Sequence, residues 1–214
     1  MIETIENLLQ LAVSGFCMIF SFWHAAVGRQ RLWLLTGFFF MLFFLGDLYW
    51  VLYLVLYGDM DYSTFIPDLC WYSAGFFLIV VLLYVRENGP KVRPLPLMWL
   101  IPAFTGGMCL FYMQWGAVIS NLTAAVIMTV ILWIAVGGLL AMRKLKDPDE
   151  IASVSRYRWL YRTAAAYCLL EYALWTASCF FERNTLLSPY LWIDVMMSAL
   201  FLSVLPAMRK AVSA

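Results

Sequence analysis

Residues 29–93 read RQRLWLLTGFFFMLFFLGDLYWVLYLVLYGDMDYSTFIPDLCWYSAGFFLIVVLLYVRENGPKVR, and the placement of their charges decides the fold. Two apolar runs, 32–56 and 64–85, stand here without an internal Lys or Arg. The gap between them holds Asp59 and Asp61 but no base, whereas Arg29 and Arg31 flank one side and Arg86, Lys91 and Arg93 the other. A crossing helix needs about 20 mainly apolar residues, and Lys and Arg near the ends of such helices stay cytoplasmic. The stretch therefore predicts a membrane hairpin with its tip outside and both ends inside.

The same alternation extends outward along the chain. Of the 14 Lys and Arg residues, all but Arg183 fall in alternate gaps between apolar segments. Arg143, Lys144, Lys146, Arg156, Arg158 and Arg162 fill the third basic gap, and Arg209 and Lys210 the C-terminal tail. The other gaps are acidic, with Glu3 and Glu6 at the start and Glu182 late in the chain. The segments 5–27, 32–56, 64–85, 94–113, 116–142, 157–181 and 189–208 then predict one all-α polytopic membrane domain over 1–214. Its seven transmembrane helices place the N-terminus outside and the C-terminus in the cytoplasm.

Composition agrees. The chain is 64% hydrophobic and 13% charged, against about 25% charged in ordinary soluble domains. Backbone polar groups in lipid need internal partners, and continuous rather than alternating apolar runs exclude a barrel. The acidic start speaks against a signal peptide, which has a basic region ahead of its apolar stretch. Cys17, Cys70, Cys109, Cys168 and Cys179 all fall in predicted spans without a C-x-x-C pair, which suggests neither a disulfide framework nor a zinc site. A net charge of +1 implies no attraction to nucleic acid.

The first and last thirds resemble each other. Span 2 carries Asp47, Tyr49 and Trp50, and after an outer loop Pro67, Asp68 and Trp71 open span 3. Span 6 carries Glu171, Tyr172 and Trp175, and after an outer loop Pro189, Trp192 and Asp194 open span 7. This pattern predicts a parallel three-helix repeat, 5–86 and 116–209, joined by a linker helix at 94–113, with the copies related by an axis along the membrane normal. Outer loops that simply favour Pro and interfacial Trp would produce a similar pattern. In the linker, Pro102 is expected to kink or shorten the helix. In the third cytoplasmic loop, Asp147-Pro148-Asp149-Glu150 has the form of a helix start. It predicts that helix 6 begins near 148 and runs into the membrane after Arg158, with a docking site for a cytoplasmic protein partner over 143–158 as a further option.

Four carboxylates lie in or at the ends of spans: Asp47, Asp68, Glu171 and Asp194. A charged side chain at a helix centre costs about 2.5–3.5 kcal/mol on insertion scales, so such residues face the bundle interior. Asp47 and Glu171 lie about fifteen residues from the cytoplasmic end of their spans, and Asp68 and Asp194 in the first two turns from outside, which puts all four in the outer half. Asp68 follows Pro67 and also suits helix capping, while for Asp47 and Glu171 the structural alternative is a hydrogen bond from a Tyr, Ser or Trp of a neighbouring helix. Tyr49, Trp50, Trp71, Tyr172 and Trp175 cluster at the same level. Aromatic faces beside acids hold organic cations, each contact giving about 0.5–2 kcal/mol. The expectation is an acidic, aromatic ligand-binding cavity open to the outside, while Tyr57, Tyr190 and Trp192 form an interfacial belt.

Other chemistries are set aside. His24 is the only histidine and suits an interfacial position, the last span has no Lys for a Schiff base, and no G-x-S-x-G elbow or phosphate loop occurs. Neither a cofactor nor a metal is implied. Asn121-Leu122-Thr123 matches a glycosylation sequon but falls inside span 5.

In layout, seven spans with an outer N-terminus and a 3+1+3 repeat resemble the SWEET and PQ-loop group of transporters. The Pro-Gln pair that names the latter is absent, so no substrate carries over. LGDLYWVLYLVLYGDMDYSTFIPDLCWYSAGFFLIVVLL (45–83) also resembles the seven-helix input modules of bacterial signalling proteins, which implies a bacterial inner-membrane location. No output domain follows Arg209, so a sensor of that kind would act through a separate partner. The leading functional expectation is a small transporter for a cationic or proton-coupled solute. The alternatives are a ligand-sensing receptor module and, third, a membrane enzyme using the paired acids.

Overall fold

The structure, a computed structural model, describes residues 2–57, 65–87, 95–182 and 185–212. Asp59, Asp61, Lys91, Arg93, Pro94 and Arg183, which the sequence reading used, lie outside the described residues. The chain is all-helical: α1 (Ile2–Gly28), α2 (Arg31–Tyr57), α3 (Phe65–Glu87), α4 (Leu100–Tyr112), α5 (Val118–Lys144), α6 (Pro148–Ser155), α7 (Arg158–Phe180) and α8 (Pro189–Val212). Short 3₁₀ turns, Pro96–Trp99 and Met113–Trp115, extend α4 at both ends.

Among the described residues, six helical segments are long and apolar enough to cross a membrane: Glu3–Gly28, Arg31–Tyr57, Phe65–Glu87, Pro96–Trp115, Val118–Lys144 and Pro189–Val212. Large apolar side chains such as Ile19, Val55, Phe76, Leu110 and Val126 point outward from them, as lipid contact requires. The expected sixth span corresponds to α7. This helix has 23 residues but carries Arg158, Arg162 and Glu171 among Thr, Ser and Tyr side chains, which leaves it too polar to join the six.

The long helices pack in a ring in the order α1, α2, α3, α5, α7, α8 and back to α1. The helix α4 stands outside the ring against α5. The core inside the ring contains Phe40, Leu82, Ile131, Tyr161, Met197, Phe201 and Met208, all fully buried. Its middle is an aromatic knot. Phe201 of α8 lies 5.6 Å from Phe40 and 4.7 Å from Phe43, and it also meets Phe39 and Tyr167, mostly edge to face. Half-buried His24 stacks on Trp33 at 4.9 Å, so it packs between the first two helices.

Two expectations on helix ends are refined. Pro102 falls in the first turn of α4, where its missing N–H is no loss, and the chain before it forms a 3₁₀ turn instead of more α-helix, so the helix is shortened. Asp147 does cap a helix, accepting from the Asp149 N–H at 3.1 Å. That helix, however, is not the start of the sixth span. α6 ends at Ser155, the Tyr157 N–H turns back to the Val154 carbonyl at 3.1 Å, and α7 starts afresh at Arg158. The core takes up Val154, Tyr157 and Leu160, and the bend at 156–157 is what brings all three inward.

Close approach of α7 to α5 depends on Gly138, since a Cβ there would lie 2.5 Å from Tyr161 Cζ. Gly138→Val is expected to destabilise the protein by about 1–3 kcal/mol through overpacking. Gly107→Ala, in open space on α4, is expected to be neutral or to stabilise by about 0.5 kcal/mol. Unfolding midpoints in mixed detergent and SDS micelles check both.

Candidate functional site

α1 brings a face that charge counting did not reveal. Glu3, Glu6, Asn7, Gln10, Ser14 and Ser21 are all buried, at the three- and four-residue spacing of one helical face. This polar stripe points into the ring against α2 and α8, where the carboxylates wait. Asp47 accepts a hydrogen bond from Ser14 Oγ at 3.0 Å and another from the Trp71 indole Nε1 of α3 at 3.3 Å. Gly46 makes the second bond reachable, because a Cβ at that position would sit 2.6 Å from Trp71 Nε1. Glu171 is hydrogen-bonded by Tyr167, one turn earlier on α7. Asp194 meets the Glu6 carboxyl of α1.

Asp47, Glu171 and Asp194 lie within electrostatic reach of one another, on three different helices. Asp68 stands somewhat apart at the start of α3. Its carboxylate accepts from Ser120 Oγ of α5 at 2.8 Å, so it joins two helices as well as sitting in a first helical turn.

Two cavities flank these groups. One, of about 220 Å³, lies between α1, α2, α3, α7 and α8, and Asn7, Gln10, Asp47, Trp50, Asp68 and Glu171 supply most of its polar lining. The other, of about 260 Å³, lies between α3, α5 and α7 below the α4–α5 turn, with Tyr72, Tyr112, Trp115, Ser120 and Asn121 on its wall. Asp68, Trp71, Glu171, Trp175 and Ser178 line both, so the cavities share a wall. No Lys or Arg among the described residues lines either one. Among the described residues, no group of three or more His, Cys, Asp or Glu side chains is placed to hold a metal ion.

Of the nine residues expected in a binding cavity, six line one: Asp47, Trp50, Asp68, Trp71, Glu171 and Trp175. Three do not. Asp194 is buried beside Glu6 and is not among the side chains that line either cavity. Tyr49 belongs to a stacked ladder along α2, 6.4 Å from Tyr53, which in turn lies 5.2 Å from Tyr57. Tyr172 turns toward α4, where Phe104 meets its ring at 5.3 Å and the Tyr112 hydroxyl donates to its carbonyl at 2.9 Å. Tyr190, expected in the interfacial belt, lines the smaller cavity instead. Glu6, Asn7, Gln10 and Ser14 were missed, and Tyr167 was placed at the level of the acids without its bond to Glu171. Their signal was present as the polar periodicity of α1 and the one-turn spacing of Tyr167 to Glu171.

No family model, no curated protein and no solved structure matches this chain.

The Ser14–Asp47 bond is accessible to a double-mutant cycle. Combining Ser14→Ala with Asp47→Asn is expected to give a coupling of about 0.6 kcal/mol, and no more than about 1.7, as for other interhelical hydrogen bonds in membranes. Detergent unfolding curves of the four proteins measure it.

Proposed function

We propose that the protein is a small integral membrane transporter that takes a cationic solute into the acidic, aromatic cavity between α2 and α7. One observation carries the reading: Asp47 and Glu171, from different helices, line a single cavity with Trp50, Trp71 and Trp175, and no basic side chain among the described residues joins them. A fixed negative site without a protein counter-charge favours a positive guest, and indole faces add to that preference. The volume of about 220 Å³ lies below the roughly 300 Å³ at which pockets for drug-sized ligands begin, which suits a small amine.

α7 serves as the seventh crossing in this proposal. At about 1.5 Å per residue its 23 residues reach past the roughly 30 Å of hydrocarbon, and its position in the ring between α5 and α8 lets its acid face inward. The N-terminus is then outside and the C-terminus cytoplasmic, as the basic gaps require. The ring is also consistent with a repeat. Exchanging α1, α2 and α3 with α5, α7 and α8 maps α1–α2 packing onto α5–α7, α2–α3 onto α7–α8, and α3–α5 onto α8–α1. The two central acids then lie on equivalent helices, α2 and α7. The aromatic knot around Phe201 lies on the cytoplasmic side of the cavity, so this conformation is closed inward, and transport requires the two halves to rock that knot open.

A sensing module is the second reading, favoured by the same closed floor: a ligand above Phe43 and Phe201 would press on the packing that reaches the basic end of the bundle. Uptake of a panel of small radiolabelled amines into proteoliposomes under an imposed pH gradient separates the two. The expected outcome is saturable uptake lost at least tenfold in Asp47→Asn and in Glu171→Gln, with circular dichroism and elution volume unchanged. Trp175→Ala is expected to raise KM by about 2- to 30-fold, the range of one cation–aromatic contact. Binding without uptake would favour the sensor, and uptake unaffected by either acid substitution would remove both readings of the site.

The seventh crossing has its own check. A fluorescent protein fused after Ala214 is expected to fluoresce, and an N-terminal reporter to be accessible only from outside. Both termini on one side would leave α7 out of the membrane.

A further inference from the structure

We propose that the groove between the basic ends of α7 and α8 binds an anionic phospholipid. The groove shares no lining residue with the two cavities beside the carboxylates, and the inference stands independently of what those carry. It has a volume of about 400 Å³ and is lined by Trp159, Arg162, Ala166, Ser203, Pro206 and Lys210 among others, with no acidic side chain among the described residues of its wall.

The charges are built in. The Arg162 guanidinium carbon lies 5.4 Å from the Trp159 ring centroid, and Lys210 Nζ from the neighbouring helix lies 5.3 Å from the same centroid. One half-exposed indole thus gathers two cations from two helices. Two cations held at one ring make the mouth of the groove positive, the charge that attracts a lipid phosphodiester. Trp159 is the residue type that settles at headgroup level. One turn deeper, Ala166 from α7 and Pro206 from α8 keep the groove shallow and apolar, the shape an acyl chain needs beneath its headgroup. Pro206 also supplies no N–H to the Leu202 carbonyl one turn earlier, a break that no other long helix has in its interior after the first turn. A free phosphate would use only the cationic mouth, whereas a lipid uses mouth and groove together, so the occupant named here is the lipid.

The test uses the full chain in dodecyl maltoside, with binding of phosphatidylglycerol and of phosphatidylcholine of the same chain length read by native mass spectrometry. Phosphatidylglycerol is expected to bind in preference, and the double variant R162Q/K210Q to weaken it by roughly tenfold or more, given that each basic residue contributes appreciably to anionic-lipid attraction. Ala166→Phe, which fills the groove and leaves the charges, is expected to weaken phosphatidylglycerol as well. Arg209→Gln removes a neighbouring exposed charge outside the groove and is expected to leave binding unchanged. Equal binding of the two lipids overturns the proposal. So does a loss in R209Q matching that of R162Q/K210Q, which would mean a diffuse basic rim. Full retention in A166F, with inorganic phosphate competing as well as the lipid, overturns it in favour of a phosphate site.

Discussion

Acidic side chains inside an apolar ring, with no base among the described residues of the cavities beside them, are the constraint around which this end of the bundle is organised. A charged group at mid-membrane depth costs several kcal/mol unless it is answered. Donors answer three of them, Asp47 by Ser14 and Trp71, Glu171 by Tyr167 and Asp68 by Ser120, while Asp194 lies beside Glu6 of α1. The bonds to Asp47 and Asp68 join different helices, so the polar contacts that relieve these acids also hold α1 to α2, and α3 to α2 and α5. Solubility of the acids and assembly of the ring are one problem with one solution.

Much of this was legible in the chain, for reasons that particular residues make plain. The carboxylates announced themselves because a charge inside an apolar run has few structural explanations. Their aromatic companions were harder, because nearness in sequence is not nearness on a helix. Trp50 and Trp175 stand three and four residues after Asp47 and Glu171, on the same face, and both line a cavity. Tyr49 and Tyr172 stand two and one residues after, turned well away, and the structure finds them in a lateral ladder and against α4. The polar stripe of α1 was hidden by its own charge: Glu3 and Glu6 were counted as markers of the outer side, and their periodic continuation through Gln10 and Ser14 went unused.

The position of α4 shows a different limit. Its prolines indicated a short helix, and it is one, but nothing in its sequence says that it lies outside the ring. That placement depends on paired contacts. Thr105 and Thr129 hydroxyls meet at 2.5 Å, and Tyr112 reaches the Tyr172 carbonyl and Thr176. Each is an ordinary residue whose role appears only with its partner. The break at 156–157 is similar: a continuous helix was locally reasonable, and the demand of the core for both Val154 and Leu160 overrode it.

Trp71 stands in the wall common to both cavities while its indole is tethered to Asp47. On the proposed function, a cation arriving at Asp47 would compete with that tether for the same carboxylate, and a displaced indole would open one cavity toward the other, so that filling the site would also change its size.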